Sequence, residues 1–138
     1  MNILIVNGPN LNLLGKREPE IYGHATLQDL ENDIKSEFSD HEFTFVQSNH
    51  EGVLIDFIHE YGLKIDAIIA NFGAYTHTSI ALRDAISAVP ARFAEVHISN
   101  IHEREAFRHH SYFSDIAEKV VIGEGLKGYA IAVNHLIQ

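Results

Sequence analysis

Apolar and polar positions change their spacing in a regular way along this chain. Short apolar runs at Ile3–Val6, Phe43–Val46, Ala67–Ala70, Phe93–Ile98 and Val120–Ile122 have the length and composition of buried strands. The segments between them carry helical spacing instead. Leu27, Leu30, Ile34 and Phe38 lie near one helix face, with Thr26 placed as the cap and Asp29 as the first-turn acid. Leu54, Phe57, Ile58 and Tyr61 follow i, i+3, i+4, i+7. So do Leu82, Ala85, Ile86 and Val89, where Pro90 ends the helix. Leu126, Tyr129, Ala130, Val133 and Ile137 form a last amphipathic stripe.

Strand and helix alternating in this way predict a parallel sheet covered on both faces. Five such units predict a flavodoxin-like three-layer α/β sandwich, a five-stranded parallel sheet in the order 2-1-3-4-5, formed by residues 1–138 as one domain. Ligands of such sheets bind beyond the carboxyl ends of the strands. The polar residues agree with that placement. Asn7 to Asn10 follow the first strand, Asn49 and His50 the second, and Asn71 the third, while His97 to Ser99 end the fourth.

Composition narrows the function. A formal net charge of −9 argues against a nucleic-acid partner, which needs a basic surface. It is compatible with a small anionic substrate, because charge at a site can oppose the net charge. The absence of cysteine excludes disulfides and thiol catalysis. No stretch approaches the roughly 20 apolar residues of a membrane span, and Met1-Asn2-Ile3 lacks a basic signal-peptide start. The expectation is a soluble, cytoplasmic protein with no membrane association.

The densest chemistry is in the first loop, Asn7-Gly8-Pro9-Asn10-Leu11-Asn12-Leu13-Leu14-Gly15-Lys16-Arg17-Glu18-Pro19-Glu20-Ile21-Tyr22-Gly23. Tyrosine has an ordinary pKa of about 10, and a nearby guanidinium favours its phenolate. Arg17 and Tyr22 therefore form either an activated base or a solvated cation beside a packed ring. His97, near the end of the fourth strand, is either a core histidine or a general acid. Glu95 lies on the same strand face and can orient that ring. Asn10 is a donor for a developing oxyanion, a turn-capping amide, or both at once. Asn71, His77, Ser99 and Arg108 make a binding group, and backbone N–H groups of Ile98 and Ser99 can hold a carboxylate. Arg104 and Arg108 also fit an exposed i, i+4 helix face. Asp84 lies about 200° around its helix from Leu82, pointing away from the core.

These blocks resemble the signature of type II 3-dehydroquinate dehydratases. Besides the first loop, the resemblance rests on Asn71-Phe72-Gly73-Ala74-Tyr75-Thr76-His77-Thr78-Ser79 with Ala81-Leu82-Arg83-Asp84-Ala85. It continues through Glu95-Val96-His97-Ile98-Ser99-Asn100-Ile101-His102, Arg104, Phe107-Arg108-His109-His110-Ser111 and Gly123-x-Gly125-x-x-Gly128-Tyr129. The resemblance implies an anti elimination of water from 3-dehydroquinate to 3-dehydroshikimate through an enolate, in aromatic biosynthesis or quinate breakdown. It implies that Tyr22 is the base, with Arg17 lowering its pKa, that Asn10 stabilises the enolate, and that His97 protonates the departing hydroxyl. The substrate carboxylate would lie near Ile98, Ser99 and Asn71, with His77 and Arg108 at ring hydroxyls. Residues 13–23 would form a lid hinged at Gly15 and Gly23. Asp84 would reach a neighbouring subunit's site in a dodecamer built of trimers. No cofactor, metal or Schiff-base lysine is implied.

Two other classes fit less well. A flavin-binding module wants a phosphate loop after the first strand, where Pro9 removes a backbone donor. A phospho-receiver wants acids there and an aspartate after the third strand, where this chain has Asn7 and Asn71. The ten histidines raise a metal site through His97 and His102, or His109 and His110, but no metal-binding spacing such as HExxH is present.

Overall fold

The computed structural model describes residues 1–16 and 18–138, apart from the side chains of Ile21 and Tyr22. The elements in chain order are β1 (Asn2–Asn7), a one-turn helix α1 (Pro19–Tyr22), α2 (Leu27–Glu37), β2 (Glu42–Gln47), α3 (Glu51–Gly62), β3 (Ala67–Asn71), α4 (Ile80–Ala88), β4 (Arg92–His97), β5 (Lys119–Ile122) and α5 (Lys127–Leu136). The strands form one sheet in the order β2-β1-β3-β4-β5, with every neighbouring pair parallel. This is the order the sequence predicts.

Local signals explain the boundaries. Thr26 accepts a hydrogen bond from the Asp29 N–H at 3.1 Å, and Asp29 accepts one from the Thr26 N–H at 3.0 Å. This reciprocal box satisfies two amides at the start of α2. Ser79 caps α4 by accepting from the Leu82 N–H at 2.9 Å, and its hydroxyl donates to Glu51 at the start of α3. The two helix starts on that face are thereby tied together.

Strand alternation divides the core into two layers. Ile3, Ile5, Ile69 and Val96 pack against α2 and α5 through Leu30, Ile34, Tyr129 and Val133. Leu4, Val6, Ile68 and Ala70 pack against α3 and α4 through Leu54, Ile58, Leu82 and Ile86, with Phe113. Each fully buried aliphatic side chain contributes about 1.5–3 kcal/mol. β1, β3 and β4 are covered on both sides, which explains their nearly continuous apolar runs.

Backbone packing then brings the strand ends together. Asn7 and Asn71 are register partners, and the Gly8 N–H donates to the Asn71 carbonyl at 2.8 Å. A Cβ on Gly8 would lie 2.2 Å from the Phe72 carbonyl oxygen, so only glycine permits this approach. The end of β4 is held from the other side, where Gly123 and Gly125 donate to the carbonyls of His97 and Ile98 at 3.1 and 3.0 Å.

Candidate active site

A cavity of about 120 Å³ opens at the carboxyl ends of β1, β3 and β4. Its wall includes Asn10, Asn71, His77, His97, Ile98, Ser99 and Arg108. The crevice rule for parallel sheets therefore places the cavity, and the residues after each strand furnish it.

β4 supplies the most strongly organised group. Glu95 and His97 are both buried, and the His97 Nε2 lies 2.5 Å from Glu95 Oε2. Two hydroxyls complete the carboxylate's shell: Ser111 donates to Oε2 at 2.5 Å and Ser114 to Oε1 at 2.6 Å. Burial alone would push the Glu95 carboxyl up. The hydrogen bond and charge of His97, with the two serine hydroxyls, outweigh it and hold the carboxyl below its ordinary value. Glu95 is thus an ionised acceptor, and Nε2 must carry a proton toward it. Nδ1 is left as the nitrogen His97 can use in the cavity.

β3 and the turn after it supply the opposite polarity. The His77 Nδ1 lies 2.8 Å from the His110 carbonyl, which can only accept. Nδ1 therefore carries the proton, and Nε2 of the neutral ring is an acceptor. Burial lowers the His77 pKa from 6.5, against the raising effect of that backbone bond, and the charges of His97 and Arg108 lower it further. The Asn71 side chain accepts from the Gly73 N–H through Oδ1 at 3.1 Å and donates through Nδ2 to the Tyr129 hydroxyl at 3.1 Å.

Asn10 occupies the left-handed region, φ 69°, which asparagine tolerates better than most residues. Its backbone N–H donates to the Asn49 side chain at 2.9 Å, and its own amide makes no capping bond. The turn-capping reading of Asn10 is therefore replaced by an amide on the cavity wall. Asn49 is held in turn by Gln47 Nε2 at 3.2 Å and by the Tyr75 hydroxyl on its carbonyl at 2.8 Å.

A family model for class II dehydroquinases matches residues 1–137. The chain belongs to the class II dehydroquinase family. It is 58% identical over 136 residues to a catabolic 3-dehydroquinase of Phaeosphaeria nodorum, covering 97% of this chain and 90% of that protein. It is 57% identical over 135 residues to a 3-dehydroquinate dehydratase 2 of Agrobacterium fabrum, covering 96% and 92%. The crystal structure of a type II dehydroquinase from Butyrivibrio crossotus superposes with a TM-score of 0.96 at 46% identity, covering 100% and 98%.

Seven of the residues singled out from the dehydroquinase signature meet at this one cavity: Asn10, Asn71, His77, His97, Ile98, Ser99 and Arg108. Asp84 is exposed on α4, outside the cavity wall. Arg17 and the Tyr22 side chain lie outside the described residues, and with them the Tyr22–Arg17 pair. Arg104 corrects a sequence expectation. The segment is not one helix but two separate 3-10 turns, Ile101–Glu103 and Ala106–Arg108, so i, i+4 spacing does not apply. Arg104 lines the cavity with Arg108, and Glu105 bonds the Arg108 Nε at 3.0 Å.

Three features around this cavity are hidden from sequence spacing. Ser111 and Ser114 act through a loop contact 16 and 19 residues from Glu95. Tyr129 reads as one more apolar position of α5. Among the described residues no three His, Asp or Glu side chains converge as a metal site. His109 stacks edge-on with His102 and donates Nε2–H to the Arg104 carbonyl, whereas His110 packs on Tyr112.

Proposed function

We propose that this cavity removes water from 3-dehydroquinate by general acid–base chemistry carried by side chains alone. The chain is a 3-dehydroquinate dehydratase, a hydro-lyase, by its family and its named relatives. Aromatic biosynthesis and quinate breakdown both use this reaction, and either role fits the chain.

The observation that carries the mechanism is the adjacency of His97 to Ile98 and Ser99. In 3-dehydroquinate the departing hydroxyl and the carboxylate sit on one carbon. A proton donor directly beside two backbone N–H groups suits that carbon. The carboxylate accepts from the amides and from Asn71, while His97 faces the hydroxyl. The neighbouring methylene then extends toward the first loop, where Tyr22 takes its proton with Arg17 favouring the phenolate. The electron pair moves onto the ketone oxygen as an enolate, and Asn10 donates to that oxygen. Collapse of the enolate forms the carbon–carbon double bond and breaks the carbon–oxygen bond, and the His97 proton leaves with the hydroxyl as water. The base and the acid act from opposite faces, giving an anti elimination. His77 Nε2 and Arg108 take the ring hydroxyls at the far side.

Ionised Glu95 is the counter-ion of the doubly protonated His97 ring from which Nδ1 delivers its proton. Residues 13–23 serve as a lid, supported by the positive φ of Gly15 (88°) and Gly23 (80°) at its ends. We place the protein in the cytoplasm as a dodecamer of trimers. In that assembly Asp84, which makes no hydrogen bond or ion pair among the described residues, completes a neighbouring site.

The test is an ultraviolet assay for the conjugated enone with purified, chelator-treated protein and 3-dehydroquinate. Product formation without added cofactor is expected. Absence of product from the folded protein across neutral and mildly alkaline pH would overturn the reading.

A further inference from the structure

We infer that Tyr129 is a positioning residue that fixes the hydrogen-bonding polarity of the cavity wall at Asn71. The inference rests on the dehydratase reading above and extends it to a residue buried behind the site.

Asn7 and Asn71 are register partners on β1 and β3, neighbouring strands about 4.8 Å apart. Both belong to the sheet face covered by α5, and both are buried. The Tyr129 hydroxyl reaches the two amides at once. It lies 2.5 Å from Asn7 Oδ1 and 3.1 Å from Asn71 Nδ2. Asn7 Oδ1 can only accept, so the phenol donates there. Its lone pair then accepts from Asn71 Nδ2. Complete burial pushes the phenol pKa far up, so this proton stays on the oxygen at any working pH.

The orientation of Asn71 follows without ambiguity. The Gly73 N–H requires the amide oxygen on its side, and Tyr129 requires the amide nitrogen on the other. One N–H of Asn71 remains, and Asn71 lines the cavity. At this point the wall can donate but not accept, so it takes an acceptor such as a carboxylate and rejects a hydroxyl proton. His77 has the reverse polarity, because its Nδ1 proton is committed to the His110 carbonyl. The two contacts together make the ring acid enter one way round.

The closing Gly-x-Gly-x-x-Gly-Tyr segment gains a role from this. Gly128 lets α5 approach the sheet, where a Cβ would lie 3.2 Å from Val121 and 3.3 Å from Val96. That approach brings the next residue, Tyr129, within reach of the two strand-end amides.

The experiment is a double-mutant cycle on steady-state turnover of 3-dehydroquinate. Tyr129→Phe keeps the ring and removes the relay. KM is expected to rise about tenfold, with kcat changed by less than about threefold. In an Asn71→Ala background the same substitution should raise KM no further. Asn7→Ala is the second variant: it deprives the phenol of its acceptor, frees its proton to turn toward Asn71, and should give the same KM-dominated change. An unchanged KM in both Tyr129→Phe and Asn7→Ala would overturn the inference. So would an equal loss from Tyr129→Phe in both backgrounds, because a purely structural role is indifferent to Asn71. Turnover by the unaltered chain tests the dehydratase reading separately.

Discussion

Glu95 and His97 project from the same face of β4, two residues apart, and their side chains meet with 2.5 Å between Oε2 and Nε2. A strand of period two puts them side by side, and burial of both makes the contact strong. The remaining carboxylate capacity is taken by Ser111 and Ser114. His97 therefore cannot turn its ring without losing the only charged partner it has among the described residues.

Glu95→Gln should lower kcat by about 10²-fold, the lower end of what a positioned acid contributes. An amide can still accept from His97 but cannot neutralise its doubly protonated form. KM should stay within about threefold. Steady-state kinetics on the variant check the split.

The same carboxylate makes stability depend on acid. Its folded pKa lies below the ordinary 4.5, so folding gains stability that is complete above about pH 4.5. That stability is lost as pH falls from there through the depressed folded value, because the unfolded chain binds the proton first. Urea unfolding at about pH 5 and about pH 3 should show a smaller loss for Glu95→Gln than for the unaltered chain.

His77 predicts a second pH effect, this time on binding. Burial depresses its pKa below 6.5, so at neutral pH the ring is uncharged and Nε2 can accept a hydrogen bond from the proposed ligand hydroxyl. As pH falls through the depressed value, Nε2 gains a proton and becomes a donor. KM for 3-dehydroquinate should rise over that range, and His77→Ala should remove this limb of the KM profile.

Gly8→Ala should destabilise the fold by about 1–3 kcal/mol, because the new methyl would meet the Phe72 carbonyl at 2.2 Å and force β1 and β3 apart at their ends. Denaturant unfolding measures the stability. Since Asn10 follows β1 and Asn71 ends β3, turnover should fall as well.

How far the sequence reveals this molecule differs between its parts. The sheet order and helix faces are readable from Ile3–Val6, Ala67–Ala70 and the stripe through Leu54 and Ile58, because burial on two faces leaves a strong periodic record. The strand-end residues Asn10, Asn71 and His97 are readable too, since the fold rule says where to look. The place of Arg104 is not readable from spacing, because the segment that looks like one helix face is two separate turns. Tyr129 is not readable as a polar residue, because a buried ring satisfies the apolar stripe of α5 whatever its hydroxyl does. Ser111 and Ser114 escape as well, since their partner is distant in sequence and only the chain's return past β4 brings them to Glu95.

The mechanism depends on the direction in which the ring acid lies in the cavity. The alternative is physically attractive, because Arg104 and Arg108 line the same cavity and guanidinium groups favour carboxylates. A crystal structure of the protein with 3-dehydroshikimate decides between them. The expected pose has the carboxylate on the Ile98 and Ser99 N–H groups and Asn71 Nδ2, with ring hydroxyls at His77 Nε2 and Arg108. A carboxylate paired with Arg108 and hydroxyls turned toward Ile98 and Ser99 would contradict it.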